Sequence, residues 1–564
     1  MTFLRLHSFP LPVLLLLCCS SSWQAAAQNI IPTSADPVKA AERFQRDSFA
    51  RSNDNPITTP EQTAAEPSGH TGKFLLGDVK IQGMSIYPPD KFAALYQPLL
   101  GKIIGRSEID QLTAAINEQY RRDGYALAIA YPVPQRLENG ATLILQVDEG
   151  RIGTISFQGE IPDEAKLGLL HEHLEIIRTE SPLTSKTLER HMLLINDLPG
   201  NTARAVLKPS TTSPGATDLV IYYVQKDYDA QLSTDNRGSK FLGPWQSAVS
   251  VASNAQLGMD ERITMRSIVT SPSSELRYLD VSYLQPLNTD GTKLIAMTSY
   301  AVTSPGESLK ADDVKSESVY AQLRAIHPYL RSRTQNLYLR GGMDMRNTTT
   351  DRGQANLTDD RLRNMRLGAS FDRSSNQSAT IVDSEFSQGI AGLGATESGD
   401  GRSNRYGDHG YTKLTLDLSH SHALSQSVSL LVTGSGQFSF NPLLSSEQFV
   451  LGGPVYGSAY EPGELAGDHG AAARAELRFG QPISDPIIRA YQWYGFYDIG
   501  SVWRRKLSGT QEPRESLSSA GFGVRAEMGQ HLSANLELAI PLTRDLASDR
   551  DNRGRIYGGL TVRY

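Results

Sequence analysis

Over the last ten residues of the chain, apolar and polar positions alternate strictly. Ile556, Leu560, Val562 and Tyr564 fall on one face with Gly558 among them, and Arg555, Tyr557, Thr561 and Arg563 fall on the other. A period of two specifies a strand, and a strand apolar on one face and polar on the other suits a wall between lipid and water. The same alternation runs back to Tyr228. Leu414, Leu416 and Leu418 alternate with Thr415, Asp417 and Ser419, and Leu532, Ala534, Leu536, Leu538 and Ile540 alternate with Ser533, Asn535 and Glu537. Residues 228–564 read in this way hold about sixteen antiparallel strands, an even number suited to closure from one chain. The expected fold is therefore an all-β transmembrane barrel. Its connections alternate too. Those at 288–291, 332–334 and 374–376 are short and rich in turn residues, whereas 348–360 and 391–411 are polar and read as long, loose external loops.

Before residue 228 the period changes to that of helices interleaved with strands. In 73–150 a strand at 74–82 is followed by helices at 89–100 and 107–123 and strands at 125–131 and 141–147. Ile109, Leu112, Ile116 and Tyr120 line one side of the second helix, and Gly124 ends it. The order recurs in 151–227, with a strand at 152–157, helices at 163–177 and 185–198, and strands at 203–207 and 219–225. A β-α-α-β-β unit occurring twice is a small α+β module. Ahead of it, Asp36 and Pro37 suit the start of a helix over 36–51, which is either a plug or a frayed terminus, and Pro56, Pro60 and Pro67 mark a linker within 28–72. Residues 1–27 read as a secretory signal, with Arg5, the apolar run 11–19 and the cleavage site Ala25-Ala26-Ala27. Both cysteines, Cys18 and Cys19, lie inside it, so the mature chain is expected to carry no thiol chemistry.

Composition narrows the function classes. The 564 residues carry a net charge of −6 with no basic block, which argues against nucleic acid as a partner. After the signal no apolar run reaches the roughly 18 residues of a spanning helix, which leaves strands as the means of crossing a membrane. No Gly-rich loop with Lys-Ser/Thr suggests a nucleotide, and His420 and His422 share a face without a third metal ligand. No catalytic constellation, cofactor or metal is expected, and the chain reads as a non-enzyme.

One connection differs from the rest. Residues 441–470, between the eleventh and twelfth strands, contain Gly452, Gly453, Gly457, Ser458, Tyr460, Gly463, Glu464, Gly467 and Asp468. Glycines at this density permit tight turns and close approach to a wall. Soon after, Phe496, Asp498 and Gly500 share one strand face. Turned to the lumen, that face carries a carboxylate beside an aromatic ring and a gap, ready to receive an inserted loop. A buried carboxylate needs a partner to stay charged.

With these pieces in order, the chain after Gly72 resembles the outer-membrane transporters of two-partner secretion, the haemolysin-secretion and filamentous-haemagglutinin transporter family, within the superfamily of the barrel-assembly protein. Tyr120-Arg121-Arg122-Asp123-Gly124-Tyr125 and Pro134-Gln135 match one polypeptide-transport-associated (POTRA) module, and Asp197-Leu198-Pro199-Gly200 matches a second. The resemblance implies that the loop folds into the barrel and that an arginine at its tip engages the strand aspartate. Ser458 stands at that arginine's place, leaving the serine hydroxyl, Arg474 or another lumen arginine to partner Asp498. It further implies two periplasmic POTRA modules that take up an unfolded exoprotein by strand addition. Export then proceeds through the barrel without a nucleotide, and folding outside biases the movement. The implied partners are a secreted TpsA-type exoprotein encoded nearby, outer-membrane lipid, and an assembly machinery that reads Tyr564 as an insertion signal.

Overall fold

The computed structural model of the chain describes residues 32–39, 57–58, 72–159, 168–213, 215–396, 401–483, 485, 487–505, 514–545 and 552–564. The signal segment, most of the helix expected at 36–51, most of the linker and the start of the helix expected at 163–177 lie outside these residues.

Sixteen strands close into one barrel, from Tyr228–Asp235 to Arg555–Arg563, each antiparallel to its neighbours. The last strand pairs with the first from Gly559↔Asp235 to Arg563↔Gln231. Tyr564 and Ala230 then exchange backbone hydrogen bonds of 2.8 and 3.2 Å. Alternation sorts the last strand as its pattern requires: Ile556 is 65% exposed on the outer face and Tyr557 is 7% exposed inside. The connections at 288–291 and 332–334 are tight turns at the end of the barrel that carries the modules.

The segment 348–360 is not a loop. It belongs to the hairpin Gln335–Arg352 and Ala355–Ser374, which turns at Gly353 with φ +60°. Cross-strand hydroxyl bonds continue the neighbouring ladder, Ser318 to Thr348 at 2.9 Å and Ser316 to Thr350 at 2.8 Å. At about 3.4 Å per residue these strands outrun the ~30 Å hydrocarbon layer, so their ends stand in water and are polar. Nor is 391–411 loose throughout. Asn404 is buried and donates to the Leu443 carbonyl at 2.7 Å, and Ser403 bonds Asp360.

In the first module, Phe74–Gln82, Ala141–Asp148 and Ile129–Pro132 form a sheet extended by Ile103–Ile104. Helix Arg106–Arg122 packs Ile109, Leu112, Ile116 and Tyr120 onto it. The helix expected at 89–100 is reduced to Ala93–Tyr96 and a 3-10 turn, Gln97–Leu99. Pro98 lacks the amide proton that would continue the α-helical ladder. The Tyr120 hydroxyl donates to Glu149 at 2.8 Å, and the same carboxylate accepts from the amides of Ser85 and Ile86. Burial raises the Glu149 pKa, but these bonds outweigh it and hold the group below the usual carboxylate range. Gln135 brackets both backbone groups of Ile144 at 2.8 and 3.0 Å.

The second module has the sheet order Ile57–Thr58, Asn201–Pro209, Thr217–Gln225, Ile152–Gly159 under helices Gly168–Thr179 and Ser185–Asn196. The linker thus contributes a strand of its own, parallel to Ala205 and Val206 at the sheet edge. This module seats on the barrel. Asp197 takes Arg331 in a two-pronged contact at 2.8 and 2.9 Å, Glu189 takes Arg333 at 3.0 Å, and Arg190 donates to the carbonyls of Asp290 and Pro328.

Between the two helices of this module, His173 Nδ1 and His191 Nδ1 lie 2.8 Å apart. Burial, then the neighbouring charges of His191 and Arg190, push His173 down to about 3. His191 is lowered as well, chiefly by burial. Both rings are therefore neutral when folded, whereas an unfolded histidine takes a proton below about pH 6.5. Stability contributed by His173 is complete above pH 6.5 and falls as the pH drops toward 3, at up to about 1.4 kcal/mol per pH unit for each proton. The protection factors of amides in helices 168–179 and 185–196, which divide out the intrinsic pH dependence of exchange, are expected to fall between pH 7 and 5, and His173→Phe should flatten that dependence.

Candidate functional site

The connection between strands Val428–Ser439 and His469–Pro482 turns back into the barrel. It carries a 3-10 turn, Ser445–Glu447, and a two-stranded ribbon, Phe449–Leu451 with Leu465–Gly467. Leu451, Ala459, Tyr460 and Leu465 form one buried cluster with the wall residues Ala472, Phe496, Val502 and Leu517. At Gly500 the loop comes close to the wall: a Cβ there would lie 2.6 Å from a Leu451 methyl. The tip turns at Gly457, φ +83°, where a side chain would also strike Leu517.

Phe496, Asp498 and Gly500 all face inward on strand Ile488–Trp503. Asp498 is fully buried at the loop tip. Its Oδ1 accepts from the Gly457 amide at 3.0 Å and the Ser519 hydroxyl at 2.5 Å. Its Oδ2 accepts from the Ser458 amide at 3.2 Å and hydroxyl at 2.9 Å. The cation comes from the wall. Arg474 stands opposite Asp498 in the strand register, 3.6 Å from Oδ2. It donates to the Ser458 hydroxyl at 2.5 Å and lies 3.9 Å from the Phe496 ring centroid. Ser458 thus links loop and wall through its hydroxyl, and Arg474 supplies the charge from the adjacent strand. The remaining lumen charges alternate around it: Arg474 reaches Glu476, which Arg478 and Arg525 also hold at 2.7 and 2.8 Å, and Arg237 takes Glu537 at 2.7 Å.

The other expected loop residues serve its shape. Amides of Gly452 and Gly453 donate to the carbonyls of Tyr456 and Tyr460, and the Tyr460 hydroxyl donates to the Ser518 carbonyl at 3.2 Å. Gly467 lies against the Trp503 backbone, and the Glu464 amide closes a turn onto Glu461. Asp468 ties the loop base, accepting from the amides of Leu443 at 2.9 Å and Arg505 at 2.8 Å. Tyr564 stands apart, at the barrel closure.

Sequence reasoning missed a second anchor. Glu447, 5% exposed in the first arm of the loop, pairs with Arg366 at 2.9 Å and Lys413 at 2.7 Å. Nothing in its local pattern marks it, because its partners lie on two distant strands. Against this arm sits the N-terminal segment. Asp36 caps the amide of Val38 at 2.8 Å, as read, and Ala35 and Val38 are buried. Lys39 donates to the carbonyls of Ser446 and Gln448, on either side of Glu447. Gly463 leaves room for the backbone of Thr33.

The profile described as haemolysin secretion/activation protein ShlB/FhaC/HecB matches residues 215–526, and that of the ShlB-type POTRA domain matches 74–150. A heme/hemopexin transporter protein HuxB of Haemophilus influenzae is 23% identical over 463 residues, 81% of each chain. An outer membrane transporter CdiB of Escherichia coli is 21% identical over 540 residues, 93% of this chain and 89% of the relative. Among solved structures, CdiB from Escherichia coli superposes with a TM-score of 0.72 at 18% identity, covering 95% of this chain and 99% of that one. BamA from Haemophilus ducreyi lacking POTRA domains 1–3 gives 0.52 at 12% identity, covering 87% and 100%. At these identities the structural likeness establishes the fold alone.

Removing Arg474 leaves Asp498 buried without its cation, a cost of about 3–5 kcal/mol. Arg474→Gln should lower the thermal unfolding temperature of the detergent-solubilised barrel and expose the loop to protease. Ser458→Arg crowds two guanidinium groups onto one carboxylate and should also destabilise, whereas Ser458→Arg with Arg474→Ala should recover most of the loss. A double-mutant cycle with no coupling would exclude this socket. Glu447→Gln removes the carboxylate that Lys413 and Arg366 share, leaving Arg366 to Asp344, and should raise protease cleavage in the loop's first arm without loosening the tip.

Proposed function

From the premise that the chain belongs to the haemolysin secretion/activation family of outer-membrane transporters, we propose that it takes up an unfolded exoprotein through its two periplasmic POTRA modules and passes it through the barrel lumen without nucleotide hydrolysis. The barrel with its POTRA modules places the chain in the outer membrane, with the modules in the periplasm.

The observation that carries the proposal is what fills the lumen. Beside the apolar cluster around Leu451 and Tyr460, the loop and segment 32–39 are held there by polar contacts, the Asp498 socket, the Glu447 pairs and the two Lys39 bonds. Such contacts are replaceable by water when the elements move, so a closed pore and an open one differ by little covalent rearrangement. Segment 32–39 acts in this reading as part of a plug.

Uptake by strand addition falls on the second module. On the first, the outward-facing donors of edge strand Ile129–Pro132 are spent: Asn117 takes the Ala130 amide at 2.6 Å, and Pro132 and Pro134 have none. On the second, Asn196 takes the Ala203 amide at 2.7 Å, but the edge beyond it pairs with Ile57–Thr58. An edge that accepts this two-residue strand suits a longer incoming one, since backbone pairing tolerates varied side chains.

Deletion of the gene is expected to remove one large protein from the culture supernatant while the outer-membrane protein profile stays intact. A broad loss of outer-membrane proteins would instead identify an assembly factor. With single cysteines introduced for crosslinking at exposed positions of the two edge strands, Arg204→Cys should trap the exoprotein in transit and Ile129→Cys should not. Equal trapping at both would remove the case for the second module.

A further inference from the structure

Inside the barrel, a cavity of about 260 Å³ lies between the wall and the first arm of the loop. Lys39, Arg324, Arg346, Arg366 and Lys413 face it, against the carboxylates of Glu385, Asp417 and Glu447. Most of these charges are committed to one another. Glu447 takes Arg366 and Lys413, and Glu385 lies 3.6 Å from Arg324 and 3.5 Å from Arg340 and Arg366.

Arg346 is different. It is 8% exposed, no hydrogen bond or ion pair joins its side chain to another described residue, and its Nε is sealed from solvent without an acceptor. Its guanidinium lies 4.7 Å from the Tyr320 ring centroid, a contact that satisfies the face of the cation and none of its N–H donors. The carboxylate two residues earlier on the same strand face, Asp344, is already taken by Arg366 and Asn364. A buried guanidinium without an acceptor is unfavourable, and its planar fork suits an oxygen-rich anion. The four further cations around the cavity add their field at the same place.

We propose that this cavity binds a small oxyanion of the phosphate class, with Arg346 as its principal anchor. Lys39 belongs to the N-terminal segment and Ser446, Glu447 and Gln448 to the loop, and all four line the cavity. An occupied site therefore joins wall, loop and segment at one point and favours the closed arrangement, because the ligand binds the state in which those groups converge. This goes beyond the export reading and does not depend on which exoprotein is carried.

The test is equilibrium dialysis of labelled phosphate against the full-length protein in detergent, with ionic strength held constant by chloride. The expected result is saturable binding of one phosphate per chain, with thermal unfolding raised by phosphate more than by chloride. Arg346→Gln should weaken binding by about tenfold or more, the loss of charge-assisted hydrogen bonds to the anion, and Arg346→Lys should restore part of it. Absence of saturable binding to the unaltered protein, which requires no variant to fold, would overturn the proposal. So would an Arg346→Gln protein that binds phosphate as the unaltered one does.

Discussion

The arrangement inside this barrel depends on one buried carboxylate. Asp498 has no access to water, and in the low-dielectric interior it keeps its charge only if every oxygen finds a donor. Three of its donors come from the loop tip, Gly457 and the amide and hydroxyl of Ser458, and the rest from the wall. The carboxylate and the inserted loop thus support one another: without the loop the carboxylate loses three of its donors, and without the carboxylate the tip loses the acceptor of all three. The glycines at 457 and 500 are the steric side of the same condition, since side chains there would hold loop and wall apart.

A cation placed on the wall decides what the socket does. An arginine carried on the loop leaves with it, whereas Arg474 remains beside Asp498 on the neighbouring strand. When the tip withdraws, the carboxylate keeps an ionic partner and the lumen keeps its Arg474, Glu476, Arg478 and Arg525 ladder. The cost of opening is then that of hydrogen bonds, each about 1 kcal/mol net and more for a charged acceptor, together with exposure of the apolar cluster around Leu451, Tyr460 and Leu465. The loop's first arm is held differently, by Glu447 between two cations. Tip and arm are two attachments of unlike character on one connection, and the N-terminal segment bears on the arm.

At the other end of the barrel the second module is joined by polar contacts of the same kind, Asp197 with Arg331 and Glu189 with Arg333. Its own core is apolar and independent of the barrel. Stable bodies joined by replaceable ionic contacts suit a machine whose parts shift during transport.

The chain's alternation alone determined the strands, their even number and the lipid-facing side of each, because in a barrel every side chain must face either lipid or water and period two records which. The two modules were legible for a similar reason, since Ile109, Leu112, Ile116 and Tyr120 declare a helix face that needs a sheet. Asp498, Phe496 and Gly500 were readable as a receptive face, and Arg474 was visible as an inward residue without its role being decided. The length of the hairpin at 348–360 was misread, because strand ends standing in water are as polar as loops. What only the tertiary structure decided are the pairings between residues far apart in the chain: Asp498 with Arg474 through strand register, Glu447 with Arg366 and Lys413, Lys39 with the loop arm, and Ile57–Thr58 with the edge at Ala205. Local pattern records the environment a residue needs, and it carries no information about which distant partner supplies it.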